Sequence, residues 1–172
     1  RNIGLARGTI LEFVYPLEGN ESAIGLDYTK VPAQWGAVKK AIDSRKTVVA
    51  GPVNLVQGGV GIIGRTPIYL EKEVGDVTKI EYFGLLSVVM DISSLFASAG
   101  LMDEELPLSV AIRGKDGLGA KGDVFHGPEE LFTGESVSMT VNFFDNIWII
   151  AAAPRNGWDE LSPRIIYYRM AF

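Results

Sequence analysis

The sequence predicts an α+β fold built on antiparallel sheets with short flanking helices, and three observations carry that prediction. Segments rich in β-branched and aromatic residues recur along the chain, several alternating apolar and polar positions as half-buried strands do. Helical spacing of three and four appears only over short stretches. The order of strand, short helix and several antiparallel strands then occurs twice, which points to two lobes, 1–91 and 92–172, with a boundary near Asp91. A single larger α+β domain is the alternative reading of the same pattern.

Residues 9–15, Thr-Ile-Leu-Glu-Phe-Val-Tyr, read as a first strand stopped by Pro16, which has no N–H to give a ladder. Pro32 suits a first helical turn, and Trp35, Val38 and Ile42 follow as an apolar stripe with Lys39, Lys40 and Asp43 outside it. Residues 47–57 form a strand that Pro52 interrupts, so it lies at an edge or carries a bulge; its freed backbone groups face a ligand or mark a plain kink. After the glycines at 58, 59, 61 and 64 the strand pattern resumes through Arg65 and Tyr69, whose even spacing puts both on one face. Residues 73–76 turn the chain into 80–92, an apolar run too rich in Val and Gly for a helix, hence a buried central strand. Asp91 or Ser93 can cap a short helix through Leu95, Phe96 and Ala99, ended by Gly100. Strands follow at 108–113 and 137–143, separated by a glycine-rich loop at 114–122, and Asp145-Asn146 turns the chain into a pairing strand at 147–153. Residues 165–170 are a last strand or the start of a connector toward a membrane segment.

With 172 residues, 47% of them hydrophobic, the chain can bury one substantial core or two smaller ones. A net charge of −5, with 16 scattered Lys and Arg, excludes a nucleic-acid surface, which needs clustered cations against phosphate. Absence of cysteine excludes disulfides and thiolate metal sites. His126 is the sole histidine and no G-x-S-x-G accompanies it, so no catalytic residue is assigned. The acidic runs at 103–105 and 129–130 read as solvated loop charge, and no metal or cofactor is assigned. Gly59, Gly61 and Gly64 have G-x-G-x-x-G spacing, but strand rather than helix follows and Pro67 bars a regular helix, so a dinucleotide site is not expected. Trp35 and Trp148 sit at core-patterned positions. Arg1 in place of Met, with no signal segment and no run of about 18 apolar residues, reads as an excised or processed piece whose anchor lies elsewhere.

One set of motifs is more specific. Tyr15-Pro16-Leu17-Glu18-Gly19-Asn20-Glu21, Gly25-Leu26-Asp27-Tyr28, the run from Ala50 through Gly59, Pro67-Ile68-Tyr69 and the run from Gly84 to Asp91 together resemble the CHASE family of extracytoplasmic sensor domains. The resemblance implies two PAS-like lobes in tandem and a periplasmic input module of an inner-membrane receptor, joined to the membrane through flanking segments. Bacterial members stand before diguanylate cyclase, phosphodiesterase or histidine kinase outputs, and plant cytokinin receptors use a related module. A homodimer is implied for the full receptor through a long N-terminal helix; none is written before Thr9, so this chain by itself is expected to be monomeric or weakly dimeric.

By motif position the resemblance maps ligand contacts onto Asp27, at a strand-to-helix junction, and onto the main chain at Val56 and Gln57. The related plant modules hold a smaller hydroxyl residue where this chain has Arg65, a departure that points away from an adenine-type ligand. Arg65 suits a carboxylate or phosphate because its planar fork donates paired hydrogen bonds. With Tyr69 on the same face, the expectation is a small polar or anionic ligand in the first lobe, with Asp27 and Arg65 converging on one cavity or paired as a structural salt bridge. A ligand-independent structural or dimerisation module is the competing function; a cavity of about 300 Å³ or more would favour sensing and a solid lobe would favour the alternative.

Overall fold

The computed structural model describes residues 2–75 and 77–158; the stretch 165–170 lies outside them. The first sheet contains β1 (Asn2–Arg7), β2 (Ile10–Tyr15), β3 (Val48–Asn54), β4 (Val60–Val74) and β5 (Val77–Asp91), in the order β2-β1-β5-β4-β3. Every pairing within it is antiparallel. Helix α1 (Pro32–Ser44) opens with the expected proline and is ended by Arg45 in the left-handed conformation (φ 55°). Its buried side chains Val38 and Ala41 meet Ala6, Leu11, Tyr28, Val48 and Leu85, so α1 covers one face of this sheet. Trp35 packs at the edge of the same cluster.

Strand β1 precedes the expected first strand. It escapes a hydrophobicity reading because its inward positions are Asn2, Gly4 and Ala6, small or polar, while the apolar Ile3 lies half-exposed. Gly4 is small because Leu11 lies against it: a Cβ there would meet the Leu11 side chain at 2.8 Å. Strand β5 is central only along part of its length, where residues 84–89 pair with β1. From Tyr69 and Tyr82 outward, β4 and β5 pair with each other and project as an arm, which leaves Leu70, Val77 and Ile80 exposed.

The second sheet contains β6 (Leu108–Arg113), β7 (Val124–His126), β8 (Val137–Phe143) and β9 (Asn146–Pro154), in the order β7-β6-β9-β8. That order repeats β2-β1-β5-β4 with no counterpart of β3, which is the internal echo seen in the sequence as strand neighbours. Strand β7 was not expected; with three residues it is too short to show alternation. Between the sheets lies α2 (Ile92–Ser98), capped as expected by the Asp91 carboxylate, which accepts from the Ser94 N–H at 2.8 Å. A second core joins Val49 and Ile62 of the first sheet to Ile92, Phe96 and Ile112, with Trp148 packed against it. The α+β class with tandem antiparallel sheets and short helices is therefore observed, and one continuous apolar cluster ties the two sheets together.

Candidate functional site

Arg65 is the centre of the site. It lies on β4 between Val48 of β3 and Ser87 of β5, under α1, with only 1% of its surface exposed. Its Nη2 donates to Gln34 Oε1 at 2.5 Å, and its guanidinium carbon lies 5.5 Å from the centre of the Tyr28 ring. The remaining Nε and Nη1 are buried without a hydrogen-bond partner. No carboxylate among the described residues forms an ion pair with it. Burial pulls its pKa down, with Tyr28 and the charge of Asp116 acting the other way. Burying a cation without an ion-pair partner is costly, about several kcal/mol.

The cavity beside it holds about 30 Å³ and is lined by Asn2, Tyr28, Gln34, Val56, Gln57 and Ser87 among others. Three of these, Tyr28, Gln34 and Ser87, also touch or neighbour Arg65, so the guanidinium sits behind the polar wall. Tyr28 Oη and Ser87 Oγ are bonded at 3.2 Å. That volume accommodates about one water molecule. Val56 and Gln57 stand on the tight turn between β3 and β4, which is closed by Leu55 N–H to Gly59 O at 3.0 Å and Gly58 N–H to Leu55 O at 3.0 Å.

Asp27 is placed elsewhere and does not converge with Arg65. Its carboxylate caps the short 3-10 turn Tyr28–Lys30, accepting from Thr29 N–H at 3.0 Å, Thr29 Oγ1 at 2.8 Å and Thr9 Oγ1 at 3.1 Å. These near neighbours, not Arg65, satisfy the charge; the Asp27 to Arg65 salt bridge is absent. The cap presents Tyr28 to the cavity. The Thr29 hydroxyl, followed by the Thr29 amide, holds the Asp27 pKa below the ordinary 3.8. A lowered folded pKa gives stability that is present above the unfolded value and lost as pH falls through the folded one. Asp27→Ala should therefore lower the urea midpoint near neutral pH, and the gap to wild type should close as pH falls below the ordinary carboxylate range; a constant gap at both ends of the pH range would count against the cap.

Tyr69 does share a face with Arg65, as alternation predicts, but at the other end of α1. Its Oη donates to the Ile42 carbonyl at 2.6 Å, and the Arg45 guanidinium lies 4.9 Å above its ring. It pins the end of the helix rather than lining the cavity. Pro52 lies on an edge strand with a register shift between Ala50 and Val53, as expected of a proline in a ladder. The neighbouring Gly51 N–H donates to Asp116 Oδ1 at 2.8 Å, a group from the second sheet's loop and not a ligand.

Sequence reasoning missed Gln34, Tyr28 and Ser87. Two of them carried a signal: Gln34 is a polar residue on the buried stripe of α1, and Ser87 a hydroxyl inside an apolar strand. Among the described residues no group of three or more His, Asp or Glu side chains could hold a metal, and His126 packs against Phe96 with ring centres 4.4 Å apart and planes tilted by 55°.

Residues 6–126 match the CHASE domain family, more than half of the chain. The chain belongs to the CHASE family. This places it among extracellular sensor domains, and two solved structures share the fold. An extracellular ligand binding receptor from Desulfohalobium retbaense DSM5692 is similar at 12% identity and a TM-score of 0.61 over 88% of this chain. The CHASE chain spans only 29% of that protein's length. The ligand-binding domain of the Pseudomonas aeruginosa PAO1 amino acid chemoreceptor PctC, in complex with GABA, is similar at 14% identity and a TM-score of 0.52, over 88% of this chain and 71% of that one. No curated protein matches the chain. Among the described residues no helix is long and apolar enough to cross a membrane.

Proposed function

We propose that this CHASE domain is the periplasmic input module of an inner-membrane receptor and senses a small carboxylate-bearing ligand, with Arg65 as the anion anchor in the first sheet. The observation that carries the reading is the buried guanidinium with Nε and Nη1 unpartnered. Gln57 and the main chain at Val56 supply the movable wall, and Tyr28, Gln34 and Ser87 the fixed one. Asp27 and Tyr69 act at one remove, through the turn that carries Tyr28 and through α1. PctC, described as an amino acid receptor in complex with GABA, supports the chemistry by fold alone.

A cavity of about 30 Å³ cannot take such a ligand as it stands, so binding must open it. The turn 55–59, exposed at Val56, Gly58 and Gly59, is the element to move, since its two closing hydrogen bonds are internal and the Gln57 to Asn20 bond, at 3.4 Å, is long. The same small volume favours the second reading, a ligand-independent module that holds receptor halves together as a homodimer. The division into 1–91 and 92–172 belongs to this proposal, supported by strands of the first sheet that all precede Ile92. A diguanylate cyclase, phosphodiesterase or histidine kinase output is proposed on the family resemblance.

A thermal-shift screen separates the two readings, because a ligand that binds only the folded state raises its stability by mass action. Small organic acids and amino acids are expected to raise the midpoint and nucleobases to leave it unchanged. No shift with any carboxylate would leave the structural module as the function.

A further inference from the structure

A second site lies between the sheets. A cleft of about 670 Å³ opens where the turn between β3 and β4, helix α2 and the neck of the loop before β7 meet. Its volume is in the range of small-molecule sites, about 300–1,000 Å³. The apolar wall includes Val60, Phe96 and Phe125. Two opposite charges line the rest, Lys115 and Asp123. They sit side by side because the Gly114 and Lys115 N–H groups both donate to the Asp123 main-chain oxygen, at 3.1 and 3.3 Å. Neither the Lys115 ammonium nor the Asp123 carboxylate makes an ion pair or hydrogen bond with another described residue. The other carboxylate in the wall, Asp91, is committed to capping α2 through Ser94.

We propose that this cleft binds a zwitterionic amino compound with a bulky apolar or aromatic body. The ligand's carboxylate meets Lys115, its ammonium meets Asp123, and its body lies against Phe96 and Phe125. A lone anion satisfies Lys115 but leaves Asp123 facing it, and a lone amine does the reverse, so both ends of a zwitterion are selected. The wall draws on both sheets and on α2, so an occupant favours one relative placement of the two. That couples an occupant of the cleft to the placement of the sheets without requiring a contact with Arg65.

L-phenylalanine is the probe, with 3-phenylpropanoate and 2-phenylethylamine as analogues lacking one charge each, followed by calorimetric titration and by amide chemical shifts of the whole chain. Saturable binding of L-phenylalanine is expected, weakened about tenfold or more for each analogue and for Lys115→Ala or Asp123→Ala. Neither substitution should change the unliganded midpoint, because neither side chain holds the fold together. In Arg65→Met the affinity should persist, and the shifted amides should cluster at α2 and the loop neck. No saturable binding of L-phenylalanine would overturn the proposal, as would unchanged affinity in both cleft variants. Loss in Arg65→Met with retention in Lys115→Ala would move the ligand to the first-sheet cavity and also overturn it.

Discussion

Replacing Arg65 by methionine is expected to abolish the thermal shift given by small carboxylates that lack an aromatic body, while leaving the unliganded domain within about 1 kcal/mol of wild type. The two halves of that result follow from opposite terms. In the free domain the guanidinium is 1% exposed, bonded to Gln34 by one nitrogen, with two nitrogens unsatisfied. Its desolvation is not repaid, and an apolar side chain of similar length removes that penalty. Against this stands the lost bond to Gln34 and the contact with Tyr28, each worth about 1 kcal/mol. In the liganded domain the balance reverses. Two charge-assisted bonds at about 1.5–3 kcal/mol each correspond to a hundredfold or greater loss of affinity when they go. Gln34→Leu is the informative companion: it keeps the charge, strips its partner and should destabilise the free domain by about 1–3 kcal/mol. An Arg65→Met variant destabilised by about 3–5 kcal/mol without ligand would mean that Arg65 already has an anion inside the fold, and the sensing proposal would fall.

What could be read from the residues divides along physical lines. Helix α1, strands β6 and β8 and the Asp91 cap were legible because each is set by local pattern: a proline at the first turn, a stripe at three and four, clean alternation, a side chain three residues from its amide. The shared face of Arg65 and Tyr69 was legible for the same reason, since strand alternation continues along β4. Strand β1 was hidden because tertiary packing inverts its pattern, with Gly4 inward against Leu11 and Ile3 outward. Asp27 lies at the junction its motif position gives, but its convergence with Arg65 fails because motif position says nothing of Thr9 and Thr29, whose hydroxyls hold its carboxylate. The cavity itself is a product of register: Ser87 faces Arg65 only because β5 pairs with β4 in this alignment, a non-local fact no window of sequence contains.

That register yields the largest expected loss of stability. Gly84 is buried on β5, paired with Arg7 of β1 on one side and Ile68 of β4 on the other, next to the irregularity at which Phe83 is passed over. A Cβ added there would lie 1.9 Å from the Ala6 carbonyl oxygen and 3.0 Å from its carbon, both main-chain atoms that no rotamer change can clear. Gly84→Ala must push β1 away from β5, and β2 goes with it because β2 pairs only with β1 among the sheet strands. The inner face of β1 also supplies Asn2 and Gly4 to the first-sheet cavity. A loss of about 3 kcal/mol or more is expected, in the range of overpacking against rigid neighbours, which for a chain of this size lowers the thermal midpoint by roughly 6–12 °C. Gly36 provides the opposite sign. It is exposed in α1 with nothing within 4 Å of an added Cβ, so Gly36→Ala should raise stability by about 0.5–1 kcal/mol through helix propensity alone. Chemical unfolding of both variants tests the alignment directly: a near-neutral Gly84→Ala beside a stabilised Gly36→Ala would show that β1 does not run against β5 in this register, and the cavity wall contributed by Asn2 would have to be redrawn.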